Sequence, residues 1–195
     1  MRRVAAFVIC LFVTVGSAQA APAGTREEAL IQSLADEVII LLNDSGMKKV
    51  PRQEGLREIL IKYLDLQFIG RFVLGRHWRP LSKDVKDRYI KAFETYVVNI
   101  YAKRLDSYSG EIIQVAGSRA VSDKDTIVAS HLERASGPSV SMDWRVRQKG
   151  ESGRVIDVVV EGVSMVISQR EEFSTYLRNN SIEALITRLE QSSAS

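Results

Sequence analysis

The chain has a single cysteine, Cys10, and it stands inside an apolar N-terminal run instead of in the body of the sequence. That run, Val4 to Gly16, follows the basic pair Arg2-Arg3 and gives way to the small residues of Ser17-Ala18-Gln19-Ala20. A membrane-spanning helix needs roughly 20 apolar residues, so the run is too short to cross a bilayer and has the layout of a signal peptide. Cleavage is expected after Ala20, leaving residues 21–195 as a single exported domain. Without Cys10 the mature chain has no disulfide, no thiolate metal site and no cysteine nucleophile. Its core alone must hold it, which is feasible because a domain of this size buries roughly 70% of its unfolded surface.

Histidine is nearly as scarce. His77 and His131 are the only two, and neither belongs to an H-x-x-x-H or H-E-x-x-H metal pattern. A G-x-S-x-G elbow, a P-loop and a G-x-G-x-x-G turn are all missing. A charge bias is missing too. Loss of Arg2 and Arg3 takes Lys plus Arg from 27 to 25 against 24 Asp plus Glu. That balance implies neither nucleic acid nor a strongly anionic partner. No second apolar run approaches membrane-spanning length, and no repeat or low-complexity tract appears.

What is present divides into two halves. The first has helical spacing. Thr25-Arg26-Glu27-Glu28 reads as a cap with acids in the first turn, and Leu30, Leu34, Val38 and Leu41 recur on one face before Asn43-Asp44-Ser45-Gly46 ends the run. Further helices are expected over Gln53–Tyr63 and Leu66–Leu74, the latter ended by Gly75. A long one follows from Ser82 to about Tyr108, with Val85, Tyr89, Phe93, Tyr96, Val97, Ile100, Tyr101 and Leu105 as its apolar stripe. The second half changes period. Glu111–Gly117, Thr126–Leu132, Ser139–Arg147 and Arg154–Val163 are β-branched runs with short polar links, as in an antiparallel meander. Val140, Met142, Trp144 and Val146 alternate with Ser141, Asp143, Arg145 and Arg147, so one face of that strand is apolar and the other charged. The tail, Glu171 to Leu189, returns to helix. The expected fold is α+β: N-terminal helices over a curved four-stranded antiparallel sheet, then C-terminal helices. Helices over a concave sheet face leave a natural apolar cavity.

Asp157 interrupts the otherwise apolar Val155–Val160. A cross-strand pair with Arg145 or Arg147 is the simpler account, and an acid poised in a cavity is the other. The second possibility would suit a small isomerase-like enzyme of cone-shaped sheet using Asp157 or His131. Two stretches are more distinctive than either residue. Phe68-Ile69-Gly70-Arg71-Phe72-Val73-Leu74-Gly75-Arg76-His77-Trp78-Arg79 reads as a short apolar helix with a tight glycine exit into an aromatic and basic loop. Val160-Glu161-Gly162-Val163-Ser164-Met165-Val166-Ile167-Ser168-Gln169-Arg170, followed by Glu171-Glu172-Phe173, leaves the sheet for a helix, with Ser168 as the expected cap.

Taken with F-E-x-Y and Y-A-x-R-L in the long helix, W-R-V-R in the third strand and D-V-V-V-E-G-V-S-M-V-I-S-Q-R in the fourth, these stretches resemble the MlaC family, also called the toluene-tolerance or auxiliary ABC-transport family. The resemblance runs from about Leu30 to Leu189. It implies a periplasmic, non-enzymatic phospholipid carrier without a cofactor. Its implied partners are an inner-membrane ABC transporter with a substrate-binding ring and an outer-membrane lipoprotein complex. A hopanoid-associated branch keeps the cargo class open. The expected cavity wall is Phe72, Val73, Tyr96, Ile100, Trp144, Val160, Val163, Met165 and Phe173. Arg71, Arg76, Arg79 and Arg170 are expected to meet a headgroup or a partner, since guanidinium pairs well with phosphate and carboxylate. Intact-mass measurement of protein from an exporting host should find a chain beginning at Ala21; a chain that keeps Arg2 and Arg3 would rule out cleavage.

Overall fold

A computed structural model of the chain describes residues 24–44, 46–105, 108, 110–134, 136–150 and 152–192. The expected signal peptide, residues 1–20, lies outside the described residues. Six α-helices and a five-stranded sheet follow in the order α1 (Arg26–Asn43), α2 (Lys49–Tyr63), α3 (Leu66–Leu74), α4 (Lys83–Leu105), β1 (Ile112–Ala120), β2 (Asp125–Glu133), β3 (Val140–Lys149), β4 (Ser152–Val160), β5 (Val163–Ser164), α5 (Met165–Tyr176) and α6 (Ile182–Gln191). The sheet is an antiparallel meander with the strands in chain order. It has five strands where four were expected. The fifth is two residues long and pairs with Val159 and Val160 through a tight turn at Glu161-Gly162. Both turn residues take positive φ, 49° and 80°, the pattern of a type I′ hairpin. Glycine adopts this freely, but glutamate does not. Glu161 is tied down twice: its N–H donates to the Ser141 carbonyl at 3.0 Å, and its carboxylate accepts from the Ser141 N–H.

Helix ends follow the sequence chemistry closely. Thr25 caps α1 by accepting from the Glu28 N–H, Asp65 caps α3 by accepting from Phe68, and Ser181 caps α6 by accepting from Ala184. Helix α2 begins four residues earlier than Gln53, with Pro51 in its first turn. Proline is tolerated there because a first-turn N–H has no helical partner to lose. The tail forms two helices, with Leu177 to Ser181 between them.

Two bulges bend the sheet. One lies in β1 between Val115 and Gly117, and the other is at Ile156 in β4, opposite the step from Arg145 to Val146. The inner face, with Val128, Trp144, Val146, Val155 and Val158, joins one core with Ile31, Leu34, Leu60, Tyr63, Val73 and Phe93 from the helices. Helix α4 is the hub, packing on α2, α3 and α6. Its Tyr89 and Phe93 rings stack at 6.0 Å, and Phe173 of α5 meets Phe93 edge-on at 6.3 Å. Gly70 lets α3 approach closely, since a Cβ there would sit 3.0 Å from both Ile90 and Phe93. The Tyr89 hydroxyl donates to the Gly70 carbonyl at 3.0 Å, and burial pushes that phenol well above its ordinary range. Within the sheet, Trp144 Nε1 donates to Ser130 Oγ at 2.9 Å, and Ser130 Oγ in turn donates to the Met142 carbonyl at 3.0 Å.

The charged face of β3 is organised by one acid. Asp125 is 3% exposed. Arg147 donates to it through Nε and Nη2 at 2.7 and 2.9 Å, and Arg145 through Nε and Nη2 at 2.9 and 2.7 Å. The expected partner of these arginines was Asp157. Arg145 does lie opposite Asp157 in register, but both guanidiniums reach across to β2 instead. The Arg147 guanidinium foremost, helped by Arg145, holds the Asp125 carboxyl at about 2, against the opposing effect of burial.

Removal of that charge should be costly. Asp125→Asn is expected to lower unfolding free energy by about 1–3 kcal/mol, the penalty for stranding partly buried polar groups. The arginines are a third to a half exposed, which keeps the loss below that of a wholly buried pair. Because the folded carboxyl titrates below its unfolded value of 3.8, its contribution is complete above about pH 4 and fades as pH falls toward 2. Urea melts at pH 7 and pH 2.5 should therefore show a wide gap between wild type and variant at the higher pH and a narrower gap at the lower.

Candidate functional site

Two cavities open between helices and sheet. The larger, about 280 Å³, lies under α1 and α2 against the inner face of β1 to β4, with walls that include Leu34, Val38, Leu60, Leu132, Trp144 and Val160. The smaller, about 240 Å³, is enclosed by α3, α4, α5 and β4, with Ile69, Val73, Phe93, Val97 and Ile100 among its walls. Leu64, Tyr101, Val158 and Met165 belong to both. No lysine, arginine or histidine among the described residues lines either cavity. Among the described residues the polar groups of the larger are Glu111, the hydroxyls of Tyr101 and Tyr108, and the Trp144 indole N–H, which is turned to Ser130. The smaller has a more polar wall of Asp157, Ser168, Gln169 and Glu172, with the Tyr96 hydroxyl donating to Gln169 Oε1 at 3.2 Å.

The gap between helices and sheet has a local cause. After α2 the chain runs extended, and the Asp65 N–H donates to the Val155 carbonyl of β4 at 3.0 Å while Leu64 bridges to the same residue. The Asp65 side chain then caps α3 and pairs with Lys149 at 2.9 Å. This junction pins the α2–α3 corner to the outer edge of β4, so α2 leaves on one side and α3 on the other.

Six of the nine expected wall residues line a cavity: Val73, Tyr96 and Ile100 the smaller, Trp144 and Val160 the larger, and Met165 both. Three stand elsewhere. Phe72 directly precedes Val73 and so points about 100° round α3 from it, where it stacks on Phe68 at 6.3 Å and carries the Arg170 guanidinium 4.9 Å from its ring. Val163 is half exposed on the edge strand β5. Phe173 is buried behind Phe93 and Tyr96, one layer back from the void. Arg71, Arg76, Arg79 and Arg170 are all exposed, and none lines either cavity. Gly75 is needed where it stands: its φ of 58° disfavours a side chain, and a Cβ would lie 3.1 Å from Arg170 Nη2.

No sequence signal marks the larger cavity's helical wall. Leu34 and Val38 lie on the apolar stripe of α1, and Tyr101 on that of α4. A stripe records which face is buried and is silent on whether it meets protein or a void. Asp157 also differs from expectation. It accepts from Ser164 Oγ at 2.6 Å and from the Val166 N–H at 3.2 Å, so it anchors the start of α5. Ser164, not Ser168, is the cap: its Oγ accepts from the Ile167 N–H at 3.2 Å while donating to Asp157. Ser168 lies inside the helix and donates back to the Ser164 carbonyl. His131 is exposed on β2. Among the described residues no three or more His, Cys, Asp or Glu side chains converge as a metal site. No described helix is long and apolar enough to cross a membrane.

Ser164→Ala takes away the cap of α5 and one partner of Asp157 together. A loss of about 1–2 kcal/mol in unfolding free energy is expected from denaturant melts, with Ser168→Ala within about 0.5 kcal/mol of wild type as an ordinary surface change.

Comparison with known proteins agrees with this architecture. The chain is 28% identical over 196 residues to the intermembrane phospholipid transport system binding protein MlaC of Haemophilus influenzae, an alignment covering 96% of this chain and 90% of the relative. The fold is shared with a phospholipid-binding protein from Ralstonia solanacearum whose structure was solved in complex with a phospholipid. The TM-score is 0.73 at 17% identity, over 86% of this chain and 96% of that one. The MlaC protein family model matches residues 32–191, and the chain belongs to the MlaC family.

Proposed function

We propose that this protein is a periplasmic phospholipid carrier that holds acyl chains in the paired cavities and leaves the headgroup in water. The observation that carries the reading is the pair of adjoining apolar voids between helices and sheet, lined by no basic residue among those described. The H. influenzae relative is named for phospholipid transport and the R. solanacearum neighbour holds a phospholipid, and both support it. Two acyl chains bury about 28 methylenes at roughly 0.8 kcal/mol each, on the order of 20 kcal/mol gross. A bare phospholipid therefore crosses water too slowly to be useful, and an apolar slot alone answers that difficulty without a covalent step.

The four arginines take a partner role in this reading, since all lie outside the cavities. Their suggested contacts are an inner-membrane ABC transporter with a substrate-binding ring and an outer-membrane lipoprotein complex, between which the mature chain, residues 21–195, would shuttle. An isomerase-like role for Asp157 or His131 has less support: both Asp157 carboxylate oxygens are engaged in holding α5, and His131 is exposed.

Val160 is half-buried on the wall of the larger cavity, so enlarging it should take space from cargo more than from the fold. Val160→Trp is expected to keep a cooperative thermal melt while phospholipid extracted from purified protein falls at least about tenfold. His131→Asn should keep the wild-type lipid content. Wild-type protein that yields no stoichiometric lipid would refute the carrier reading, and a folded Val160→Trp that retains it fully would take the larger cavity out of the site.

A further inference from the structure

We infer that the two cavities are separate slots for the two acyl chains of one phospholipid, and that the lipid straddles a septum built by Leu64, Tyr101, Val158 and Met165. This rests on the carrier reading and adds to it how the cargo is arranged. Among the described residues these four are common to both cavity walls. They come from four places in the chain: the α2–α3 corner, α4, β4 and the first position of α5. Leu64 and Val158 are each 9% exposed, whereas Tyr101 and Met165 are half-buried. The septum thus runs from the core outward, with Leu64 and Val158 at its foot and Tyr101 and Met165 along its crest.

Bore and polarity point the same way. The cavities are close in size, about 280 and 240 Å³, and a void of about 150 Å³ already accommodates a benzene ring. Each therefore takes a length of one hydrocarbon chain, and neither has room for two side by side. A glycerol backbone joins its chains at neighbouring carbons, so chains that part into two slots must part where the slots adjoin, at the crest. There the smaller cavity offers the polar side chains Ser168 and Gln169, the latter donating to Glu172 Oε2 at 3.0 Å, a polar margin suited to the ester region of a lipid. The septum is also fixed from below, because Leu64 is bridged to Val155 of β4. Met165, an unbranched and adaptable side chain at the start of α5, is the part of the crest best able to move aside as a chain enters.

Filling one slot should convert the protein from a two-chain to a one-chain binder. Val97 lines the smaller cavity alone and Val160 the larger alone, and both are half-buried. Delipidated full-length mature protein would be mixed with equimolar palmitoyl-oleoyl phosphatidylglycerol and palmitoyl lysophosphatidylglycerol and the bound species counted by native mass spectrometry. Wild type should favour the diacyl lipid by at least about tenfold. Val97→Trp and Val160→Trp should each reverse the preference, keeping the lysolipid at one per chain, and the double variant should bind neither. Val97→Met, a gentler filling, should move the ratio in the same direction if the tryptophan variant does not melt cooperatively. A folded Val97→Trp or Val97→Met that keeps the wild-type ratio places both chains in the larger cavity and overturns the two-slot arrangement while leaving the carrier reading intact. Wild-type protein that takes up neither lipid overturns both.

Discussion

The hydrogen bond from the Asp65 N–H to the Val155 carbonyl, with the Leu64 bridge beside it, is the contact on which the layout of the molecule turns. It is a short stretch of strand-like pairing made by a helix–helix corner, and it fastens that corner to the outer edge of β4. Because the corner is held at β4, α2 and α3 diverge from it and cannot close over the sheet together. The space left on either side becomes a cavity, and the corner itself becomes the foot of the wall between them. Asp65 stabilises the arrangement from the other direction by capping α3 and pairing with Lys149 at the end of β3.

A domain that keeps two voids forfeits dispersion contacts along every wall that faces them. Compensation is visible away from the voids. The stacked Tyr89 and Phe93, met edge-on by Phe173, fill the junction of α3, α4 and α5, and the close crossing at Gly70 brings α3 onto α4 without a gap. The outer face of the sheet is braced by Asp125 with its two arginines, and Arg147 extends that brace by lying over Phe68 of α3 at 4.5 Å. Rigid supports thus surround a region where packing is deliberately incomplete, and the apolar interior and the charged exterior of the same strand, β3, contribute to both.

Much of this was legible in residue order. Alternation in Val140–Arg147 gave the correct two-faced strand, and the Thr25 cap and the Gly75 stop gave correct ends for α1 and α3. The failures share a cause: they depended on which neighbour a side chain would meet. Phe72 and Val73 are adjacent and both apolar, and only the helical turn decides that Val73 faces the cavity. Asp157 lies opposite Arg145 in the ladder, yet the bulge at Ile156 and a nearby Ser164 hydroxyl gave it different partners. Ser164 and Ser168 are both suitable caps, separated by one turn, and β5 is too short to leave a periodic signal. The void itself has no signature in sequence, because Leu34, Val38 and Val97 would look the same if they were packed against protein.

The two-residue strand β5 has an effect beyond the site. Strand β4 is rich in valine and isoleucine and ends the long-stranded part of the meander, so its outer edge would be a natural template for strand addition from another chain. That edge is occupied piecewise. Val159 and Val160 pair with β5, Val155 is taken by Leu64 and Asp65, and Asp157 between them is turned to the start of α5. The same segments that frame the cavities therefore keep this protein from adding strand to strand along β4, a hazard that an exposed valine-rich edge would carry at any concentration.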